Sequence, residues 1–214
     1  MDKDVLDELK SRLNGQSLIL EIGFGTGRVL FNILNEIVPK KIIGLESQSK
    51  EKIESSYQLF DKEFYSLEKN GKIELFHFYQ SLAQNLEIVP LDKNFFNKIV
   101  TLNFNTSLAQ FTKSNQLRFD LIILYNVLHY SEMGDPYAIL KEAINLLKNN
   151  RYILISFKNY KHSDEHFDRQ EVDTQQVLSV LSTDFKTLLL KDSELENSII
   201  YLGQRIGTNM TDLT

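Results

Sequence analysis

The chain has 214 residues, a net charge of −5 and no cysteine. This length suits a single α/β domain over residues 1–214, with a sizeable core. The lack of cysteine excludes disulfides, thiolate metal sites and thiol nucleophiles, and the acidic balance argues against a protein built around binding DNA or RNA. The sequence shows neither a signal-peptide pattern nor an apolar run long enough to span a bilayer, so we expect a cytoplasmic protein.

An amphipathic helix is predicted over residues 4–13, within an N-terminal segment of residues 1–15. A buried strand follows from Leu18 to Ile22, because its residues are mostly apolar without alternation. The strand runs into a glycine-rich turn over residues 23–27 and then a helix over residues 27–37. Glycines allow positive φ and close approach of a ligand, and a helix start presents free N–H groups. The turn is therefore a candidate ligand site.

The second predicted strand runs from Lys41 to Glu46 and ends in an acid. Glu46 lies roughly twenty residues past the last glycine of the turn, where nucleotide-binding α/β folds place an acid on a ribose diol. A carboxylate is suited to this contact because it accepts hydrogen bonds from both hydroxyls. The alternative is an acid that favours the start of the next helix.

A helix over residues 49–69 and an insertion over residues 69–98 are predicted to separate the second strand from the third. Segment 72–84 resembles segment 98–110 in register, and coincidence and local duplication explain this equally well. Either copy could form the third strand. We choose Ile99 to Phe104, because its distance to the next strand suits a compact α/β unit. The other copy could then pair with this strand or cover the sheet edge.

The second half of the chain continues the alternation of strands and helices. The fourth strand starts at Phe119, and a helix that begins at Asp135-Pro136 and stops at residues 149–150 leads to a fifth strand from Tyr152 to Phe157. We predict a helix near residues 172–181, strands near 185–190 and 198–204, and a frayed tail over 206–214.

A polar loop from Lys158 to Gln170 leaves the carboxyl end of the fifth strand and should overhang the site. Its Tyr160, His162 and His166 could contact a substrate. The two histidines could also bind a metal. We favour a solvated loop without a metal, since the sequence offers no identifiable third ligand.

Several stretches resemble motifs of the class I S-adenosylmethionine-dependent methyltransferases, in particular those of the small-molecule enzymes similar to methyltransferase types 11 and 12. Glu21 and the three glycines resemble the family's E/D-x-G-x-G-x-G motif, Phe119-Asp120 resembles its F-D-x-I/V strand, and Asn126-Val-Leu-His129 resembles its N-V-L-H turn. The resemblance covers about residues 20–205. It implies a Rossmann-like sheet of seven mostly parallel strands, with helices on both faces and the last strand antiparallel.

The resemblance also implies a cofactor, S-adenosyl-L-methionine, bound by the glycine turn and by Glu46. Asn105 stands where the family often has an acid that contacts the adenine, or Gln80 does if segment 72–84 is strand three. His129 is the candidate general base, the alternative being a histidine that fixes the turn or stacks on the cofactor. The residues predicted to bind the cofactor are Glu21, Gly23, Phe24, Gly25, Thr26, Gly27, Glu46, Ser47, Asn105, Thr106, Tyr125 and Asn126.

We therefore expect methyl transfer to an O, N or C nucleophile of a small molecule. Two alternatives are a methyltransferase that acts on protein or RNA, and a cofactor-binding protein that no longer transfers methyl groups. The N-P-P-Y/F sequence of DNA amino-methyltransferases is missing after the fourth strand, so DNA is not an expected partner. No membrane association is expected, and the sequence carries no signal for the oligomeric state.

Overall fold

The computed structural model describes residues 3–25, 27–53, 98–130, 134–158, 170, 172–193 and 198–207. Thr26, the predicted helix beyond residue 53 and most of the 69–98 insertion lie outside these residues. So do segment 72–84, residues 159–169 with Tyr160, His162 and His166, and the tail beyond residue 207.

The described residues form five helices and seven strands, numbered here in chain order. The helices are α1 (Lys3–Arg12), α2 (Arg28–Glu36), α3 (Leu108–Ser114), α4 (Pro136–Leu146) and α5 (Thr174–Asp184). The strands are β1 (Leu18–Ile22), β2 (Lys41–Leu45), β3 (Val100–Asn103), β4 (Phe119–Tyr125), β5 (Leu147–Lys158), β6 (Phe185–Ser193) and β7 (Ser198–Arg205). No helix among them is long and apolar enough to cross a bilayer.

The seven strands form one sheet in the order β3-β2-β1-β4-β5-β7-β6. Strands β1 to β5 pair in parallel, and β7 is antiparallel to both β5 and β6. This confirms the predicted fold class, including the antiparallel last strand. It also identifies the third strand, because residues 100–103 pair directly with β2.

Helices cover both faces of the sheet, as predicted. On one face, α1 and α2 bury apolar side chains such as Leu9 and Ile33 against the strands. On the other face, α3, α4 and α5 do the same with side chains such as Phe111 and Leu140. Because both faces are covered, the central strands β1 and β4 are buried along most of their length, and ligand access is left to the sheet edges and strand ends.

The boundary between α4 and β5 differs from the prediction. Asp135 caps α4 as expected, with its side chain accepting a hydrogen bond from the Tyr137 N–H at 3.0 Å. The helix ends at Leu146, however, and β5 begins at once, with Leu147 opposite Phe119. The expected helix stop at residues 149–150 was wrong because this segment is an irregular part of the strand, in which Asn150 has a φ of +59°.

Asp120 explains why this irregularity is stable. Its buried carboxylate accepts hydrogen bonds from the Leu18 N–H at 2.9 Å and from the Lys148 ammonium at 2.8 Å, and it pairs with Arg151 at 2.8 Å. Burial alone would raise the pKa of Asp120, but these donors and charges outweigh it and lower the pKa below its ordinary value. The Asp120 side chain therefore joins β1, β4 and β5 near the amino ends of β1 and β4.

Candidate active site

The candidate site lies where the chain reverses its direction across the sheet. From β1 the chain continues to β2 and β3 on one side, and it then returns to place β4 on the other side of β1. At such a switch point the loops after the two strands diverge and leave a crevice at their carboxyl ends. Here the two loops also touch: a Cβ atom on Gly23 would lie 2.8 Å from a methyl group of Val127, so glycine is required there.

The glycine turn after β1 has the positive φ values that its sequence predicts. Gly23, Gly25 and Gly27 have φ values of +65°, +46° and +71°. A Cβ atom on Gly25 would meet nothing within 4 Å. The backbone at Gly25 is therefore open to a ligand, while Gly27 caps the start of α2. This combination of uncrowded backbone at Gly25 and a helix start leaves room for a small bound molecule.

Glu46 follows β2, and its side chain contacts the glycine turn. Its side chain is 6% exposed. One carboxylate oxygen accepts the Gly25 N–H at 2.9 Å, and the other accepts the Gln48 N–H at 3.0 Å and the Ser47 hydroxyl at 3.3 Å. The acid that the sequence predicted as a ribose ligand is thus held at the glycine turn by backbone donors.

The loop after β3 is joined to the same place. The Glu46 N–H donates to the Asn103 carbonyl at 2.9 Å, the Thr106 N–H donates to the Glu46 carbonyl at 2.9 Å, and the Asn105 N–H donates to the Gln48 carbonyl at 3.1 Å. These bonds bring Glu46, Asn105 and Thr106 together. Asn105 and Thr106 also line a cavity of about 480 Å³ beside α3.

Phe24, predicted to contact the cofactor, is a buried side chain. Its ring is buried and makes an edge-to-face contact with Phe104, with ring centroids 5.3 Å apart. It also covers Gly44 of β2, where an added Cβ atom would lie 2.7 Å from the ring. Phe24 therefore joins the turn after β1 to β2 and to the loop after β3.

Glu21 is a second acid beneath the glycine turn. It is 2% exposed, the Leu30 backbone of α2 partly stabilises its charged form, and its Oε2 atom has no hydrogen-bond partner among the described residues. Burial, with a smaller contribution from the charge of Glu46, raises the pKa of Glu21 from 4.5 to about 8. At neutral pH this carboxyl group is therefore largely protonated.

The turn after β4 provides the opposite side of the crevice. Tyr125 and Asn126 are half-buried, and Asn126 has a φ of +57°. The Asn126 N–H donates to the Ser156 carbonyl at 2.6 Å, and the Ser156 hydroxyl donates to the Asn126 side-chain oxygen at 3.2 Å. These bonds join the end of β4 to β5 and orient Asn126.

His129 lies at the same turn but is 2% exposed. Its ring stacks on Tyr130 at 4.7 Å, and its Nδ1 atom accepts a long hydrogen bond of 3.4 Å from the Lys158 N–H. A neutral ring that accepts at Nδ1 carries its proton on Nε2. In this tautomer the lone pair that a general base needs is at Nδ1, toward the end of β5.

Two residues of this region carry no sequence signal. Ser156 belongs to β5 and Gln170 lies just before α5, where its side chain donates to three carbonyl groups of the turn after β4. Neither residue has a spacing or neighbour in the sequence that marks it, because both act through contacts between segments distant along the chain.

The raised pKa of Glu21 predicts how stability depends on pH. The folded protein holds this proton up to about pH 8, whereas the unfolded chain loses it near pH 4.5, so folding becomes less favourable as pH rises between these values. We expect Glu21→Gln, which cannot ionise, to gain stability relative to the native protein on going from pH 5 to pH 8. The gain should be at least 1 kcal/mol, or about 2–4 °C in Tm.

Thermal unfolding at the two pH values measures this difference, and Glu36→Gln on the exposed end of α2 is the matched control. An equal offset between Glu21→Gln and native protein at both pH values would contradict a protonated Glu21.

Comparison with known proteins agrees with this geometry. The family model for a methyltransferase domain matches residues 3–197. No curated protein sequence is significantly similar to the chain.

Solved structures with the same fold include several methyltransferases. The N-methyltransferase NodS from Bradyrhizobium japonicum, in complex with S-adenosyl-l-homocysteine, is 11% identical with a TM-score of 0.53, covering 92% of this chain and 84% of its own. An rRNA methylase from Streptococcus thermophilus is 11% identical with a TM-score of 0.53, covering 95% of both chains. The [4+2]-cyclase SpnF is 11% identical with a TM-score of 0.58, covering 95% of this chain and 81% of its own.

The family match spans most of the chain, and the strand order and the glycine turn agree with it. The chain therefore belongs to the methyltransferase domain family and is a class I S-adenosylmethionine-dependent methyltransferase.

Proposed function

We propose that this protein binds S-adenosyl-L-methionine in the crevice between β1 and β4 and transfers its methyl group to an O, N or C nucleophile of a small molecule. The observation that carries the proposal is the buried Glu46 carboxylate, held beside the open backbone of Gly25. A carboxylate at this point can accept both hydroxyls of a ribose, while the glycine backbone lies against the adjoining part of the ligand.

The described residues fit the parts of this cofactor. Asn105 and Thr106 adjoin Glu46, and an amide side chain can pair with the edge of an adenine. Glu21, with its unsatisfied oxygen, lies under the glycine turn, where the amino-acid end is expected. The remaining proposed contacts come from Gly23, Phe24, Thr26, Gly27, Ser47, Tyr125 and Asn126, of which Thr26 is outside the described residues.

The charge of the crevice suits a cationic cofactor. When bound, S-adenosyl-L-methionine supplies a methyl carbon made electrophilic by a sulfonium. The Glu46 carboxyl group lies in this crevice, and Glu21 can become an anion by releasing its proton. A bound positive charge nearby favours the ionised form of a carboxyl group, so it would offset the cost of ionising the buried Glu21.

Because the cofactor supplies a reactive methyl group, the protein has two main tasks in methyl transfer. It must hold a nucleophile in line with the methyl group and exclude water. Tyr125 and Asn126 at the end of β4 are the residues proposed to face the acceptor, and the two hydrogen bonds between Asn126 and Ser156 hold the Asn126 side chain in place. For an acceptor that must lose a proton, His129 is the proposed base. Its Nδ1 atom would have to exchange the long hydrogen bond from the Lys158 N–H for the proton of the acceptor.

A small molecule is the favoured acceptor over RNA. The chain carries a net charge of −5, which opposes binding to a phosphate backbone. Yet the same fold serves an rRNA methylase and a [4+2]-cyclase, so fold alone does not choose the acceptor or require transfer. An assay that detects every class of acceptor is therefore needed.

Loss of one Glu46 oxygen should weaken cofactor binding. We expect Glu46→Gln to raise the Kd for S-adenosylhomocysteine about 10- to 100-fold, because a hydrogen bond to a charged group contributes about 1.5–3 kcal/mol. Titration calorimetry measures the Kd, and Glu36→Gln, an exposed acid on α2, is the control. The 2′-deoxy analogue of the ligand should bind the native protein more weakly, and its further loss of affinity in Glu46→Gln should be smaller than that of the ligand itself, because only the 3′-hydroxyl contact remains to be lost.

A Kd for Glu46→Gln within about 2-fold of the native value would contradict the ribose contact. An equal loss of affinity for the ligand and its 2′-deoxy analogue would place Glu46 elsewhere on the ligand.

Transfer should reach small molecules. Incubating the protein with S-adenosylmethionine tritiated on the methyl group and cell extract, and then separating the extract by size, should label the low-mass fraction. Label in protein or RNA would identify the macromolecular alternative. If the protein binds the cofactor but no fraction is labelled, the result would support the alternative of a cofactor-binding protein that no longer transfers methyl groups.

Removal of the His129 ring should slow transfer without loss of cofactor. We expect His129→Gln to lower the labelling rate about 100-fold or more, as is typical for loss of a general base, with a Kd for S-adenosylhomocysteine within about 3-fold of native. Initial labelling rates and calorimetry give the two numbers. A labelling rate within about 5-fold of native would assign His129 a role in fixing the turn instead.

A further inference from the structure

Gln170 makes an unusual set of contacts with the turn after β4. Its side-chain amide nitrogen lies 2.9 Å from the Leu128 carbonyl, 3.2 Å from the Tyr130 carbonyl and 2.9 Å from the Gly134 carbonyl. Its backbone N–H donates to the His129 carbonyl at 2.8 Å. One residue therefore contacts four carbonyl groups of a turn that is 36 to 42 residues away along the chain.

These contacts require a hydrogen-bond donor. Carbonyl oxygens only accept, so the amide nitrogen of Gln170 must face them, and its two N–H groups are shared among three acceptors. A glutamate of the same shape would present an oxygen to three oxygens instead. The interaction therefore depends on the amide chemistry of Gln170 as well as on its size.

The other side of Gln170 is anchored to the fold. Val172 is fully buried, and the Asp173 N–H donates to the Tyr137 hydroxyl of α4 at 3.1 Å. Asp173 in turn caps α5 through the Gln175 and Gln176 N–H groups. Gln170 thus transmits the position of α4 and α5 to the turn that carries Asn126 and His129.

We propose that Gln170 is a positioning residue for methyl transfer. By holding the carbonyl groups of residues 128–130 and 134, it fixes the turn after β4 in the conformation in which Asn126 has its positive φ and His129 accepts the Lys158 N–H. This role rests on the proposed function, but the fixed turn itself can be tested without it.

The test compares Gln170→Glu with Gln175→Glu, a matched change at an exposed position on α5. Amide exchange followed by NMR reports on the turn through the Asn126 and Tyr130 N–H groups, which bond to Ser156 and Val127. Calorimetry with S-adenosylhomocysteine reports on the cofactor site, and tritium labelling of extract reports on transfer.

For Gln170→Glu we expect exchange of these two amides to become at least 10-fold faster while amides in β6 and β7 are unchanged. The labelling rate should fall at least 10-fold, the Kd for S-adenosylhomocysteine should stay within about 3-fold, and Gln175→Glu should match the native protein. Gln170→Ala, which removes the donor without adding a charge, should behave in the same direction.

Unchanged exchange at the turn would overturn the proposal. Faster exchange throughout the sheet together with a lower Tm would also overturn it, because Gln170 would then stabilise the whole fold. If the native protein labels no acceptor, the proposed function fails while the local exchange result still decides whether Gln170 fixes the turn.

Discussion

The candidate site depends on the hydrogen bond between the Gly25 N–H and the Glu46 carboxylate. Strands β1 and β2 are parallel neighbours, with Ile22 opposite Leu45, so the residues that follow them emerge side by side. An acid after β2 can then reach a turn after β1, provided that the turn has backbone free to donate. Positive φ values at the glycines provide that freedom, and the bonds from residues 105 and 106 add the loop after β3 to the same unit.

Two buried acids lie at opposite ends of the parallel strands and differ in their surroundings. At the amino ends, Asp120 is neutralised by Lys148 and Arg151 and accepts a hydrogen bond from a backbone donor, which stabilises its charge. At the carboxyl ends, Glu21 has one oxygen without a partner among the described residues and a raised pKa. Unpaired buried polar groups are costly, and strongly shifted pKa values are concentrated at functional sites. The contrast separates the part of the sheet that stabilises the fold from the part suited to a cationic ligand.

Local features of the sequence were sufficient for most of the fold. The apolar run before the glycines, the acid at Glu46 and the Asp135-Pro136 helix start each act over a few residues, and the structure has strands and helices there as predicted. The α4–β5 boundary was misplaced because Leu147 joins a strand through its pairing with Phe119, which lies far away along the chain.

The contacts within the site were less predictable for the same reason. The position of Glu46 beside the glycine turn follows from motif spacing. The hydrogen bonds from Gln170 and Ser156 join distant segments and leave no pattern in the sequence. The hydrogen bond to His129 Nδ1 comes from the backbone N–H of Lys158. Any residue except proline could donate this bond, so the sequence gives no sign of it.

A crystal structure of the native protein with S-adenosylhomocysteine tests the central claim most directly. The account predicts both ribose hydroxyls within about 2.5–3.0 Å of the Glu46 carboxylate oxygens, with the amino-acid end of the ligand against the glycine turn. A ligand whose ribose lies away from Glu46, or which binds outside the crevice between β1 and β4, would contradict it.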